Sequence, residues 1–408
     1  MALSTGSRGG NAATLRQRNS SAVLEIVRRS SSPLRVAEVA QLAELSRPTV
    51  ETVTQGLLEQ GWLRLVDPDA SIRHSQSVGR PARLFAFNER ARHVIGIDIG
   101  AHRVTVALSD LRGEVVASRR RSLPPEMPPA RRLATTVALV STLLAAAAVD
   151  TSTVLAMTVG TPGTVPKTND RVGLSPGIPG WASLDVRQPL QRAVPCGVEV
   201  ENDANLAAVG ERARGVATGC ADLVFLLLGE RLGAGVIAND ALVRGRNGAA
   251  GELGYVPVAG AEDRDARYGP LESQVNASAL VRLGRTAALE HPTSALARTS
   301  PLTADVITRA ATEGDAVATT VVRRLAAMIA EGVAPTLLTL NPDKLVIGGG
   351  ISLAGEVLRQ ALDEAVARLV LYPPEVHLSA LGDDAVVIGA VARSLERVEV
   401  EVLARVSA

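Results

Sequence analysis

Residues 34–63 read LRVAEVAQLAELSRPTVETVTQGLLEQGWL, the pattern of two helices joined by a tight turn, with a long supporting helix expected after them. Ser46 is a good N-cap for the second helix, because its hydroxyl accepts from amides of the first turn. Pro48 is tolerated because it falls in that first turn. The positions that pack the two helices together are small or aliphatic: Ala40, Leu45 and Val50. The segment predicts a helix-turn-helix, with an ordinary helical hairpin as the alternative.

The turn between these two helices departs from the usual pattern. Glu44 occupies the position that commonly carries glycine. If this residue is left-handed, a side chain there costs roughly 1–2 kcal/mol. The sequence therefore predicts a strained turn, provided that the helix-turn-helix forms.

The segment after the motif has the pattern of a wing. Residues 62–66 form a short strand, residues 67–71 have turn chemistry, and a polar stretch returns toward Phe87. Arg80, in Gly-Arg-Pro, could enter a minor groove, although a plain loop is the alternative. A helix start in the major groove and a wing predict these DNA contacts: Ser46, Arg47, Pro48, Thr49, Thr52, Arg73, Gly79, Arg80 and Pro81.

Charge is distributed unevenly along the chain. Residues 1–93 carry 13 arginines, no lysine and 8 acidic residues, a net charge of +5. The remainder has 30 basic and 34 acidic residues, a net of −4, so the overall +1 hides a basic N-terminal part. A basic segment suits contacts with DNA phosphates.

Length and composition bound the architecture. A chain of 408 residues predicts two or three domains. We expect a disordered tail over 1–14, a winged helix-turn-helix over 15–90 (the head) and a body over 93–408. The start shows no signal-peptide pattern, and Cys196 and Cys220 are isolated, so we expect a cytoplasmic protein without disulfides.

The body begins with an alternation of strands and helices. Residues 94–100, 104–110 and 114–118 read as strands, a helix follows over about 130–147, and residues 154–160 form another strand. Two antiparallel hairpins before the first helix predict an α/β body of ribonuclease-H-like, actin-like ATPase type rather than a Rossmann fold. We expect two lobes: about 93–200 plus the C-terminal helix, and about 201–385.

These segments, in this order, resemble transcriptional regulators of the ROK family, which groups sugar-responsive repressors with sugar kinases. The resemblance extends from about Leu15 to Ala392. It rests on the following segments: IGIDIGAHRVTVALSDLRG (95–113), VGTPGTV (159–165), LSPGIPGW (174–181), VENDANLAAVGE (200–211), GERLGAGV (229–236), GAAGELGYVPV (248–258), GPLES (269–273) and LVIGGGIS (345–352).

Two turns correspond to the hairpins that hold ATP phosphates in kinases of this family. The first reads DIGAHR at 98–103, where Ala101 replaces a glycine. The second reads GERLGAG at 229–235, where Glu230 places a carboxylate near the phosphate position. Two like charges about 4 Å apart repel by about 4 kcal/mol at an effective dielectric of 20. The sequence therefore predicts no catalytic residues and no cofactor, although Arg231 could compensate for Glu230.

The sugar pocket of the family is better preserved. The resemblance implies that Asp203 corresponds to the general base of the kinases and that Asn202, Glu252 and Glu272 contact sugar hydroxyls. The alternative for Asp203 is that it only caps the helix that begins near Ala204. Gly177 departs from the family, because sugar-binding members commonly carry asparagine at this position.

The family's structural zinc site is not preserved. Where other members have one histidine and three cysteines, this chain has Tyr255, Asp263, Asp265 and Pro270. Such a set lacks the thiolate and imidazole ligands of a tetrahedral zinc site. We therefore expect no bound metal.

The sequence favours a transcriptional regulator, a repressor in the usual mode of the family. Its partners would be an inverted-repeat DNA operator, a sugar or polyol effector, and a second copy of the chain in a homodimer or larger homo-oligomer. One alternative is a sugar kinase with a DNA-binding head. The other is a DNA-binding regulator without an effector.

Overall fold

The computed structural model describes residues 8–66, 83–166, 171–258 and 268–406, with side chains from residue 13 onward. Its helices are, in chain order, α1 (Arg8–Arg29), α2 (Val36–Ala43), α3 (Arg47–Glu59), α4 (Pro129–Ala146), α5 (Arg187–Ala193), α6 (Asp203–Arg214), α7 (Glu272–Val275), α8 (Ala277–Glu290), α9 (Ala304–Thr312), α10 (Ala316–Leu340), α11 (Gly355–Leu369) and α12 (Ala385–Glu401). Its strands are β1 (Leu34–Arg35), β2 (Leu63–Val66), β3 (Leu84–Phe87), β4 (His93–Ile99), β5 (Arg103–Asp110), β6 (Val115–Ser122), β7 (Val154–Thr161), β8 (Gly197–Asn202), β9 (Leu223–Leu228), β10 (Leu232–Ala238), β11 (Ala241–Leu242), β12 (Lys344–Gly348) and β13 (Glu375–Leu378).

The head contains the predicted helix-turn-helix, formed by α2 and α3. Ser46 caps α3, its hydroxyl accepting from the Thr49 amide at 3.3 Å, and Pro48 lies in the first turn as expected. Glu44 is left-handed, with φ 54° and ψ 36°, so the strained turn is present. An antiparallel sheet in the order β1-β3-β2 closes the head beside these helices.

Two expectations for the head are wrong. The supporting helix, α1, precedes the motif instead of following it, because the chain passes from α3 directly into β2. Helix α1 also begins at Arg8, so residues 8–14 are helical where a disordered tail was expected. The run Ala12–Gln17 is rich in good helix formers and leads without a break into the buried positions Val23, Leu24 and Val27.

The body contains two five-stranded sheets of the same design. One has the order β6-β5-β4-β7-β8 and the other the order β11-β10-β9-β12-β13. In each, the first three strands pair antiparallel and the last two join in parallel. Because β4, β7, β9 and β12 are nearly continuous apolar runs, they lie at the buried centres of their sheets. This is the predicted ribonuclease-H-like, actin-like architecture.

Helices α6 and α12 cross at the centre of the body with their backbones in contact. A Cβ atom at Gly389 would lie 1.7 Å from the Leu206 carbonyl oxygen, and one at Gly210 would lie 2.3 Å from the Ala385 carbonyl oxygen. No side chain fits at either position, so glycine is required for this crossing. Helix α12 also lies on β4, where a Cβ at Gly96 would be 2.6 Å from the Val387 carbonyl oxygen.

Candidate functional site

The first turn of α3 is exposed, as a DNA-reading helix requires. Ser46, Arg47, Pro48 and Thr52 are exposed and Thr49 is half-buried. The Ser46 and Thr49 hydroxyl oxygens lie 2.8 Å apart, and the Thr52 hydroxyl donates to the Pro48 carbonyl at 3.0 Å. Arg47 has no ion pair or hydrogen bond within the described part of the chain. Its guanidinium therefore remains available for a base edge or a phosphate.

The wing itself lies outside the described residues. This applies to four predicted DNA contacts: Arg73, Gly79, Arg80 and Pro81. Strands β2 and β3, which lead into and out of this segment, pair antiparallel with Val66 opposite Leu84. The role of the wing residues stays a prediction.

A cleft of about 660 Å³ lies between the two sheets of the body. Six carboxylates line it: Asp98, Asp203, Glu230, Glu252, Glu272 and Asp383. The sequence singled out Asp203, Glu252 and Glu272 as contacts for a sugar. Asp203 stands at the start of α6, Glu252 at the end of a loop after β11, and Glu272 at the start of α7. The structure thus brings together the predicted carboxylates from three separate segments.

Burial raises the pKa values of three carboxylates in the cleft: Asp98, Asp203 and Glu252. The pKa of Asp98 is raised to about 7, mainly by burial and secondly by the negative charge of Asp203. Burial raises the pKa of Asp203 to about 6, against the opposing hydrogen bond from the Ala204 amide. Burial also raises the pKa of Glu252, with Asp203 and Glu272 adding to the effect. A protonated carboxyl can both donate and accept, which suits neutral hydroxyl ligands.

Asn202, rather than Asp203, caps helix α6. Its Oδ1 accepts from the Asn205 amide at 3.0 Å and its Nδ2 donates to the Gly163 carbonyl at 3.1 Å. The alternative reading of Asp203 as the helix cap is therefore wrong, and Asp203 is the first residue of the helix. Asn202 lines the cleft, but its amide already bonds protein groups on both ends.

Glu272 is similarly engaged. One carboxylate oxygen accepts from the Leu232 amide at 3.0 Å, and the other accepts from the Gly269 amide at 3.2 Å and from Arg231 at 3.3 Å. The guanidinium of Arg231 also lies over the Tyr268 ring, 4.9 Å from its centroid. Glu272 therefore holds the wall of the cleft together, in addition to any contact with a ligand.

One end of the cleft lies between the turns at 98–103 and 229–235 and is called the phosphate end here. Ion pairs cross this end. His102 Nε2 lies 2.8 Å from Glu230 Oε2, joining the turn after β4 to the turn after β9. Arg103 pairs with Asp383, just before α12. Glu230 thus pairs with His102, and Arg231 pairs with Glu272 at 3.3 Å.

Sequence reasoning missed a positioning residue behind this end. Arg132 of α4 is fully buried and donates to four backbone carbonyls, two of them in the first hairpin: Gly100, Ala101, Pro124 and Pro125. Its guanidinium fixes the turn at Gly100. An arginine on the apolar side of a helix was the available signal, next to the buried Leu133.

Two of the four positions of the family's zinc site, Tyr255 and Pro270, lie in the described part of the chain. Tyr255 is half-exposed and lines the cleft, and Pro270 has no donor side chain. Asp263 and Asp265 lie outside the described residues. Across the part of the chain that the structure describes, no group of three His, Cys, Asp or Glu side chains could hold a metal ion. The absence of zinc stays a prediction.

Two family models match the chain in agreement with this geometry. One, described as ROK family, matches residues 94–396. The chain belongs to the ROK family. A second model, described as the IclR helix-turn-helix domain, matches residues 19–67. The resemblance inferred from the sequence motifs is confirmed.

The ROK relatives of this chain include proteins named as repressors and proteins named as glucokinases. A xylose repressor of Caldicellulosiruptor bescii is 27% identical over 94% of this chain and 96% of its own length. A glucokinase of Halalkalibacterium halodurans is 30% identical over 73% of this chain and 93% of its own. A solved ROK family transcriptional regulator, a homologue of the Escherichia coli Mlc protein, has a TM-score of 0.77 and covers 95% of this chain and 98% of its own. At 22% sequence identity, this structural similarity shows the fold alone.

ROK membership thus leaves open whether the body is catalytic, because repressors and glucokinases share it. The residues of the cleft must decide between them. Within the described residues, no helix is long and apolar enough to cross a membrane.

Proposed function

We propose that this ROK protein is a sequence-specific DNA-binding repressor whose non-catalytic body binds a sugar or polyol and dimerises. The head is residues 15–90 and the body residues 93–408, with lobes at about 93–200 plus the C-terminal helix and about 201–385. The observation that carries the proposal is the exposed first turn of α3, where the Arg47 side chain pairs with no residue that the structure describes. The xylose repressor, which matches over both parts, supports the same assignment.

The phosphate end of the cleft supports a non-catalytic body. A nucleotide would have to displace the His102–Glu230 pair and bring its phosphates against the Glu230 carboxylate. The basic groups at this end, Arg103 and Arg231, already pair with Asp383 and Glu272. Little positive charge is left for a polyphosphate, so we assign no ATP and no kinase step to this chain.

The part of the cleft that Asp203 and Glu252 line is called the sugar end, and its residues support a neutral polyol as effector. Glu252 and Asp203 line the cleft with raised pKa values, and neither makes an ion pair within the described residues. Carboxyl groups hydrogen-bond to hydroxyls in either protonation state. A phosphorylated sugar would meet several acidic groups, and in the described part of the cleft Arg103 and Arg231 already pair with carboxylates. Gly177 leaves room for a ligand beside Arg231.

The operator is proposed to be an inverted repeat bound by a homodimer. One recognition helix with one wing covers only a short site, which gives too little specificity in a genome. Two-fold symmetry in the protein would be matched by two-fold symmetry in the DNA. Because DNA is the partner, we place the protein in the cytoplasm.

In vitro selection of duplexes from a random library with the full chain tests the proposal. We expect an enriched inverted repeat, and light scattering should report a dimer or larger oligomer. Arg47→Ala should weaken binding to the selected duplex by about 1–3 kcal/mol. Arg323→Ala, the same charge change on the body, is the matched control and should leave the affinity unchanged. Failure to enrich any sequence, or equal losses in both variants, contradicts the proposal.

A further inference from the structure

Two helices begin in the cleft and run toward the head: α12 contacts it directly, and α6 is joined to it through the β5–β6 turn. Asp203, the first residue of α6, lines the cleft, as do Asp383 and Ala385 at the start of α12. At 1.5 Å per residue α6 spans about 18 Å and α12 about 25 Å. Both therefore reach from the ligand side of the body to its opposite surface.

The far end of α12 is joined to helix α1 of the head. Glu399 Oε1 lies 2.7 Å from Arg28 Nη1. After the short 3-10 turn Leu403–Arg405, the Val406 carbonyl accepts from the Ser21 hydroxyl at 3.4 Å. The apolar cluster here is continuous across the boundary and contains, from both sides, Val23, Leu24, Val27, Val398, Leu403 and Val406.

The far end of α6 reaches the head through the β5–β6 turn. Arg214 donates to the Arg112 carbonyl at 2.8 Å and to Glu114 Oε1 at 2.7 Å. Arg112 in turn donates to the Ser30 carbonyl at the end of α1 at 3.2 Å. Its guanidinium also lies over the Phe87 ring, 5.8 Å from the centroid. Both helices therefore end on groups that hold α1 or the head sheet.

The Gly210–Gly389 crossing makes the two helices one unit. Because backbone meets backbone there, neither helix can slide or rotate without moving the other. At this crossing there are no side chains between the two backbones that could absorb a displacement of either helix.

We propose that α6 and α12 form a mechanical link that carries the ligand state of the cleft to helix α1 of the head, through the contacts Glu399–Arg28 and Arg214–Arg112. This inference rests on the proposed function only in one respect: the two states of the cleft are taken to be with and without a bound sugar or polyol. In this proposal the head has two orientations relative to the body. The coupling free energy between cleft and head cannot exceed the difference between the ligand's binding free energies in those two orientations.

The chain offers a matched pair of double variants to test the link. Arg214→Gln with Glu399→Gln, the decoupled variant, removes the Glu399–Arg28 contact and the Arg214–Arg112 contact. Arg212→Gln with Glu401→Gln makes the same charge changes on the same helices. Arg212 bonds the Asp240 carbonyl and lies 3.8 Å from Glu396 of α12, and Glu401 pairs with Arg397 of its own helix. The control double variant therefore keeps the Glu399–Arg28 and Arg214–Arg112 contacts, and the Gly210–Gly389 crossing still joins its two helices.

The measurement is amide hydrogen exchange of the full chain, with Asp203→Asn as the perturbation in the cleft. We expect Asp203→Asn to change exchange in residues 20–29 by about threefold or more in the parent and in the control double variant. In the decoupled variant the change should shrink clearly, because only the apolar cluster, the Ser21–Val406 bond and the Arg112–Ser30 bond then remain between the body and α1. Glu399→Gln alone alters one half-exposed ion pair and should remove part of the effect, which covers the case in which the double variant unfolds.

Unchanged exchange in α1 of the parent on Asp203→Asn, or an equal change in the decoupled variant, would overturn the link. The experiment uses neither operator nor sugar. A failed DNA selection therefore overturns the proposed function without deciding this result, and a failed exchange experiment leaves the selected operator intact.

Discussion

His102 Nε2 lies 2.8 Å from Glu230 Oε2 and joins the two turns that face each other across the cleft. In a kinase of this fold these turns receive the phosphates, so a carboxylate there opposes a polyanion. The pair is exposed on both sides and contributes little to stability. Its importance is the negative charge that it places at the phosphate position.

We expect the parent protein to show no melting-temperature shift with MgATP and no glucose-dependent ATP hydrolysis. A single carboxylate about 4 Å from a phosphate costs about 4 kcal/mol at an effective dielectric of 20, or roughly a thousandfold in affinity. Glu230→Thr removes this charge and should raise any residual nucleotide affinity. Thermal shift and a coupled ATPase assay measure both, and sugar-dependent turnover by the parent would establish the kinase alternative.

The fold was predictable because its signals are local. The run VIGIDIG gives β4, and Ser46 with Pro48 gives the start of α3. The cleft was predictable only in part, because its pairings join distant segments. Glu272 bonds the Leu232 amide, 40 residues away, and His102 bonds Glu230, 128 residues away. No spacing rule in the sequence encodes such contacts.

Asp98→Asn should stabilise the protein more at high pH than at low pH. Asp98 is almost fully buried and its pKa is about 7, against about 3.9 for an unfolded chain. Between these values the folded state binds more protons, so stability falls as pH rises, by at most roughly 1.4 kcal/mol per unit. Asp203, with a pKa of about 6, acts in the same direction.

Melting temperatures of parent and Asp98→Asn at about pH 5 and about pH 8 measure this difference in stability. We expect the variant to gain mainly at the higher pH, where the parent must keep a buried carboxylate charged. Equal shifts at both pH values would show that Asp98 is not protonated in the native cleft. Asp305→Asn, at the exposed first turn of α9, is the control.

Glu44→Gly should stabilise the helix-turn-helix. Glu44 has φ 54°, and a left-handed backbone costs a non-glycine residue roughly 1–2 kcal/mol. Glycine also gains freedom in the unfolded chain, so the net gain should be about 0.5–1 kcal/mol. Slower amide exchange in α2 and α3 would report it. Glu51→Gly, inside α3, should instead destabilise the head by about 1 kcal/mol.

Gly177→Asn should increase affinity for a neutral sugar such as D-xylose or D-glucose. A Cβ at residue 177 would lie 3.6 Å from Pro162 Cβ and 3.8 Å from Arg231 Cδ, both ordinary contacts, so the backbone there accepts a Cβ atom. Sugar-binding ROK proteins commonly carry asparagine at this position, and one added hydrogen bond contributes about 1 kcal/mol, roughly fivefold in affinity. Isothermal calorimetry of parent and variant measures the change.

Glu252→Ala should abolish sugar binding, both in the parent protein and in the Gly177→Asn variant. It should leave the affinity for DNA in the absence of sugar intact. Its carboxyl lines the cleft and, among the described residues, makes none of the backbone bonds that make Glu272 structural, so its loss removes ligand contacts and little else. Glu364→Ala, on the surface of α11, is the matched control and should bind sugar like the parent. If Glu252→Ala keeps full affinity, the sugar binds elsewhere. If no sugar binds either the parent or Gly177→Asn, the regulator without an effector is the correct alternative.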